Sequence, residues 1–360
     1  MGERMQWFWT ALRMNALMPI AVAGLVLIAG VAATAPSQAQ TATINVAIQP
    51  AVTALPMVVA DKKGLFAKRN IEVKWRVSQV PISDTINTLG RQFDITMGTQ
   101  PALIAAAGSG VPVVAITGGG LDTPAVPTCN IVARADRGIT TFKQLAGKTV
   151  GSLTLTGNIH FALLDVLQKQ GVDLDGIQWV VGTIPQLPDL LKAGRVDAIE
   201  EIEPFAGIAI AAGGVALGDP FRSIGDRAFV GYWLAHRDWA NKNQDVVLRY
   251  TEAMKEAADW VAANPDEARV FLSSYTGLQG PALGKTPILD FSFAPTVPEI
   301  QKPAATSDEQ TENAWASWGF TSVEIATFNR NFSHGVKEEE RTVDAAAAAR
   351  AIVTEKQKLS

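Results

Sequence analysis

Cysteine is almost missing from this chain of 360 residues: Cys129 stands alone. No internal disulfide can form, and no cysteine-rich metal site can be built. A lone thiol reads as a small buried apolar side chain rather than a nucleophile. Histidine is scarce as well, with three residues. No Ser-His-Asp set, His-x-x-x-His pair, Walker loop or glycine-rich dinucleotide fingerprint is visible. The run Gly118–Gly120 lacks the helix signals that would have to follow it and reads as a hinge-side loop. A basic excess is absent too, since the formal net charge is -4, and this argues against a nucleic-acid partner. It says little about a small ligand, because local groups set the chemistry of a site.

Hydrophobic residues make up 48% of the chain, enough for sizeable cores in one large domain or two lobes. At the start, Arg4 and Arg13 precede an apolar run from Ala16 to Ala33, and Ser37-Gln38-Ala39 offers small residues at the positions a signal peptidase reads. Residues 1–39 are expected to be a secretory signal peptide cut after Ala39. An uncleaved anchor is the bland alternative, because the run is near spanning length. The lack of a following cysteine argues against a lipoprotein anchor. The lack of an adjacent arginine pair argues against twin-arginine export. An exported chain with one thiol must draw its stability from its core.

From Thr43 onward, strands alternate with helices, the pattern of a parallel α/β sheet. The order then repeats. "FDITMGTQPALIAAAGSG" from Phe93 is echoed by "VDAIEEIEPFAGIAIAAGG" from Val196. In both, an aspartate opens a strand (Asp94, Asp197) and a proline starts a small-residue helix (Pro101, Pro204). Aligning Gly64 with Gly171, two helix C-caps, sets Gln49 opposite Thr156. The chain therefore reads as two similar lobes. "RAFVGYWLAHRDW" reads as one strand passing back to the first lobe, and a helical pair follows it. Two further helices are expected over 308–332, and a charged, Ala-rich tail over 336–360.

Open α/β sheets bind ligands beyond the carboxyl ends of their strands. Gln49, Thr99, Gln100, Thr154, Thr156, Gly157, Asn158 and Glu203 all fall at such ends. Each could be a plain turn former, but they agree across the two copies. At 154–158 a strand hands over to a helix, whose free N–H groups and dipole suit an anion. Thr156 could cap that helix. His160 shares a helical face with Leu163, Leu164 and Leu167 and could equally be a core residue. Glu203, if it faced the cleft, would repel a bare anion and favour an amine or hydroxyl, while Glu200 and Glu201 could be solvated. Tyr232 and Trp233 occupy alternate strand positions, so only one of them should face the site; Trp233 is the candidate, with the core as its alternative.

Taken together, "ADKKGLFAKRNIEVKW", "FDITMGTQPALIAAAGSGVPVVAI", "TTFKQLAGKTVGSLTLTGNIHFALLDVLQKQGVDLDGIQWV" and "LLKAGRVDAIEEIEPF" resemble the periplasmic substrate-binding proteins of ABC importers for nitrate, taurine and aliphatic sulfonates. These are related to binders of thiamine-pyrimidine precursors. The resemblance covers about residues 43 to 335. It implies a two-lobed periplasmic-binding-protein fold of type II, each lobe a mixed, mostly parallel sheet flanked by helices, with a ligand cleft between lobes. Residues 40–126 and 237–335 would form lobe 1, and 127–236 lobe 2. The implied function is a non-enzymatic, monomeric periplasmic receptor without cofactor or metal. It would capture a small organic anion or zwitterion and deliver it to an ABC permease and its ATPase, meeting the membrane only through the permease. A pyrimidine-precursor binder or a synthase-like enzyme on the same scaffold is the alternative. The family's anion loop matches Thr154, Thr156, Gly157, Asn158 and His160. Its aromatic–acid–proline segment matches Ile202, Glu203 and Pro204, with Ile202 in place of the aromatic.

Overall fold

The computed structural model describes residues 41–293, apart from 79, 100, 104–105, 107–109 and 227. The expected signal peptide, Gln100, the helices over 308–332 and the charged tail lie outside the described residues. In chain order the strands are β1 (Ala42–Ile48), β2 (Ile71–Val77), β3 (Ile95–Gly98), β4 (Val113–Thr117), β5 (Gly119–Asp122), β6 (Cys129–Ala133) and β7 (Thr149–Ser152), then β8 (Gln178–Val181), β9 (Ala198–Ile202), β10 (Val215–Gly218), β11 (Ala228–Phe229), β12 (Tyr232–His236) and β13 (Asp290–Ser292). The helices that matter are α1 (Leu55–Lys62), α2 (Ile82–Ile86), α3 (Asn158–Lys169), α4 (Leu187–Lys192), α5 (Phe205–Ala211), α6 (Arg237–Lys242), α7 (Gln244–Ala263) and α8 (Pro265–Thr276).

Two five-stranded mixed sheets carry the fold, ordered β2-β1-β3-β12-β4 and β8-β7-β9-β6-β10. The roles along the two orders match. In each, the second strand runs parallel to its edge neighbour and to the third strand, and the fourth is antiparallel to both its neighbours. The antiparallel strand comes last in the first sheet and first in the second. The chain must therefore cross between sheets twice, before β6 and before β12. The crossings carry β5 and β11, which pair with each other, and β13 adds on β5's other side.

The repeated residues have a physical cause. Asp94 Oδ2 accepts from the Asn45 N–H at 2.8 Å, and Asp197 Oδ2 from the Thr149 N–H at 3.1 Å. Each aspartate thus ties the start of the third strand in its sheet order to the second. Gly64 and Gly171 share a φ of 69°, the left-handed conformation that ends a helix cheaply only at glycine. At the core of the first sheet, Trp233 meets Tyr250 of α7 edge-on at 5.9 Å, and Phe66 stacks on the same ring at 5.2 Å.

Several local expectations are corrected. Gly119 and Gly120 are not loop but the start of β5. A Cβ on Gly119 would meet the Gly231 carbonyl oxygen at 2.5 Å, so the two crossings approach too closely for a side chain. The single strand expected through Ala228–His236 is broken at Val230–Gly231, because β11 and β12 belong to different sheets. The helix after Ser83 is short: α2 ends at Ile86, and turns follow to Gly90 at φ 74°. The strands β6 and β10 had no counterpart in the sequence reading. Among the described residues, no helix is long and apolar enough to cross a membrane.

Candidate ligand-binding cleft

The carboxyl ends of the central strands of both sheets face one cleft. Gln49 follows β1, Thr99 follows β3, Leu153 and Thr154 follow β7, and Ile202 ends β9. The cleft has two connected parts. An outer chamber of about 380 Å³ is bounded by Val77, Ser78, Val80, Pro81 and Ile82, by Ile184 and Pro185, and by the last turn of α8 from Ser273 to Thr276. Tyr275 fixes that turn by donating its hydroxyl to the Ala51 carbonyl at 3.1 Å. An inner well of about 50 Å³ lies beyond, lined by Thr99, Gly157, Asn158, His160 and Glu200 among others. Gln49, Ile82, Leu153, Thr154 and Ile184 border both. No lysine or arginine is among the described residues that line either part.

The start of α3 forms one wall. Gly157 is its N-cap, with extended backbone and no side-chain cap. The Ile159 N–H is taken by Asn158 Oδ1 at 3.0 Å, and the Gly157 N–H by the Thr154 carbonyl at 3.3 Å. No such bond engages the Asn158 and His160 N–H groups among the described residues, which leaves donors at the positive end of a 12-residue helix. Asn158 Nδ2 donates to the Val230 carbonyl at 3.3 Å, joining this helix tip to the returning crossing. Also lining the well, Thr99 is 6% exposed, and its Oγ1 has no hydrogen-bond partner among the described residues. A buried hydroxyl without a partner is costly to the empty protein. A guest in the well would relieve that cost.

The residues expected at the site divide as follows. Gln49, Thr99, Thr154, Gly157, Asn158 and His160 come together around the cleft. Gln100 lies outside the described residues. Thr156 does not cap α3: its hydroxyl pairs with that of Thr154 at 3.2 Å, and it borders neither part. Glu203 also borders neither. It lies past the end of β9, and its Oε2 turns back to accept from the Gly207 N–H of α5 at 3.2 Å. Burial raises its carboxyl to about 7, opposed by that N–H. Trp233 and Tyr232 are both core residues, because β12 is an inner strand covered on both faces.

The acid at the well is Glu200 instead. Alternation along β9 puts Glu200 and Ile202 on the cleft side and Glu201 on the other. Neither Glu200 nor Glu201 is solvated, at 1% and 0% exposure. Burial pushes the Glu201 carboxyl well above its ordinary range. Counting alternate positions back from Ile202 was the signal available for Glu200.

A second polar cluster lies between the crossings. Asp122, Cys129 and Asp219 bring their ligating atoms within 4.8 Å of one another. The cation position is already taken: Arg222 pairs with Asp122, and its Nε donates to Asp219 Oδ2 at 2.8 Å. The Cys129 thiol is buried and donates to Asp219 Oδ1 at 3.5 Å. Burial and that neighbouring carboxylate push it well up, away from the reactive thiolate.

Paired mixed sheets with a cleft at their facing carboxyl ends define the periplasmic-binding-protein fold. Within it, the chain belongs to the family described as NMT1/THI5 like, whose model matches residues 52–268, more than half of the chain. A protein of Escherichia coli (strain K12) named for binding aliphatic sulfonates is 23% identical over 306 residues, covering 83% of this chain and 90% of that one. The alkanesulfonate-binding protein SsuA of Xanthomonas axonopodis pv. citri, solved with MOPS bound, superposes with a TM-score of 0.65 at 16% identity, over 86% of this chain and 98% of that one. The periplasmic nitrate-binding protein NrtA of Synechocystis PCC 6803 gives 0.64 at 14% identity, over 89% of each.

Proposed function

We propose that this protein is the periplasmic solute receptor of an ABC importer and takes a small organic anion or zwitterion of the aliphatic sulfonate and taurine class. The observation that carries the reading is the inner well. The uncapped tip of α3 and the Thr99 hydroxyl, which has no partner among the described residues, both line it, a set of donors that suits an oxyanion without any lysine. The described relatives named for their ligand bind sulfonates or nitrate. In this reading the protein is monomeric, is exported by residues 1–39, and is not an enzyme. It closes about the two crossings and hands its guest to the permease and its ATPase. In this reading the second lobe, expected over 127–236, would end before Tyr232, a bound supported by the pairing of β12 within the first sheet.

Thermal unfolding of the exported protein with sulfonates, taurine, nitrate and pyrimidine precursors tests this. A guest that binds only the folded state at a hundred times its Kd adds about 2.7 kcal/mol of stability, a shift of several degrees. A response confined to pyrimidine precursors would favour the alternative receptor, to which the acid–imidazole pair in the well gives some support. No response to any small metabolite would count against a receptor.

A further inference from the structure

The inner well holds one pair of ionisable side chains, His160 and Glu200, and the pair is almost sealed from solvent at 2% and 1% exposure. His160 Nδ1 lies 2.7 Å from Glu200 Oε1. The other carboxylate oxygen accepts from Ser152 Oγ at 2.6 Å. Trp179 packs against the imidazole edge-on, with ring centres 4.5 Å apart. A carboxylate that accepts on both oxygens places the imidazole proton on Nδ1. Nε2 is the ring nitrogen left for the well.

We infer that the ring is neutral, with its lone pair on Nε2, and that the pair selects the guest, on the receptor reading above, by requiring a hydrogen-bond donor next to its oxyanion. The α3 tip and Thr99 supply donors, so the guest must bring acceptor oxygens there. His160 Nε2, held by Glu200 as a positioning residue, is an acceptor, so the guest must bring an N–H or O–H to it. The class that meets both demands is a short acid carrying an amine, amide or hydroxyl group. An acceptor-only anion would set oxygen or methylene against a lone pair backed by a buried carboxylate. No lysine or arginine among the lining residues offsets that charge.

Calorimetric titration of the exported protein with 2-aminoethanesulfonate, 2-hydroxyethanesulfonate and propane-1-sulfonate, three probes of similar size, tests the inference. At least one donor-bearing probe is expected to bind about tenfold tighter than propane-1-sulfonate, the weight of one well-made hydrogen bond. Equal or tighter binding of propane-1-sulfonate overturns the inference and leaves the receptor reading standing. Failure of all three overturns the sulfonate guest in both. Glu200→Gln is expected to reduce the preference to about threefold or less, and a variant that keeps it removes Glu200 from the role. Nitrogen NMR of the wild-type imidazoles needs no guest and no variant, and the chain has three histidines. His160 is expected as the Nδ1–H tautomer with a bare Nε2. An Nε2–H tautomer or an imidazolium overturns the proposal.

Discussion

At the scale of single residues, two side chains separate binding from folding. Thr99 keeps a buried hydroxyl that no group among the described residues uses. Thr99→Val removes that group at constant shape. The empty protein is expected to melt at the same temperature or slightly higher, by up to about 1 kcal/mol, while affinity for the best guest falls about tenfold. A destabilised empty variant would show that the hydroxyl serves the fold instead. Glu203 makes the opposite case, a charge that affects stability and not the guest. Its folded carboxyl is raised by burial from 4.5 to about 7. Below 4.5 both folded and unfolded chains are protonated there, and its contribution is fully present. Between 4.5 and 7 the unfolded chain ionises first, so stability is lost as pH rises. The loss is up to about 3 kcal/mol by pH 8. Glu203→Gln is expected to flatten the difference in melting temperature between pH 5 and pH 8. An unchanged difference would place its origin in other groups.

At the scale of elements, α3 decides how the cleft is furnished, and Gly157 decides how α3 begins. A Cβ on Gly157 would meet Thr154 Cγ2 at 2.8 Å. The backbone itself is extended and tolerates alanine, so Gly157→Ala should push Thr154 aside at the shared border of well and chamber. A weakening of binding by about tenfold is expected, with the melting temperature moved by less than about 1 kcal/mol equivalent; a large drop in melting temperature would make the glycine a folding residue. Elements such as α3 were legible because a strand, a turn and an amphipathic helix follow one another within a few residues. The same holds for the Asp94 and Asp197 strands, since each aspartate recurs where it clamps its sheet. Legibility failed where long-range pairing decides. β6 and β10 are short, and β12 looks like one strand with β11 until the two sheets divide them. Glu203 was chosen over Glu200 because it resembles a strand-end residue, whereas its neighbour reaches the well by strand alternation and by a histidine forty residues away. Trp233 reads as a site aromatic on a strand assumed to have one open face, but helices cover both faces of β12.

At the scale of the whole molecule, the described chain passes between the two sheets in two crossings, whose backbones approach each other closely at Gly119 and Gly231. One guanidinium ties both crossings to the second sheet. Arg222 pairs with the buried Asp122 at the end of β5, donates through Nε to Asp219, and donates through Nη1 to the Gly225 carbonyl at 2.9 Å, just ahead of β11. Asp122 in turn holds Thr128, accepting from its N–H at 2.6 Å and its hydroxyl at 2.7 Å. The start and the end of the excursion into the second sheet are therefore fastened together. Arg222→Met keeps most of the side chain's volume and removes the charge, leaving two neighbouring carboxylates without a cation. The expected cost is about 3–5 kcal/mol, read as a lowered melting temperature. Burial and the charge of Asp219 raise the Asp122 carboxyl to about 7, so the loss should shrink below about pH 7, where Asp122 is neutral, and Asp219→Asn in the same chain should recover part of it, because the repulsion then has one member. If the crossings also act as the hinge of closure, the variant that still folds should bind the best guest more weakly without any change to the residues lining the well. A variant with lowered melting temperature and wild-type affinity would confine this cluster to holding the fold together.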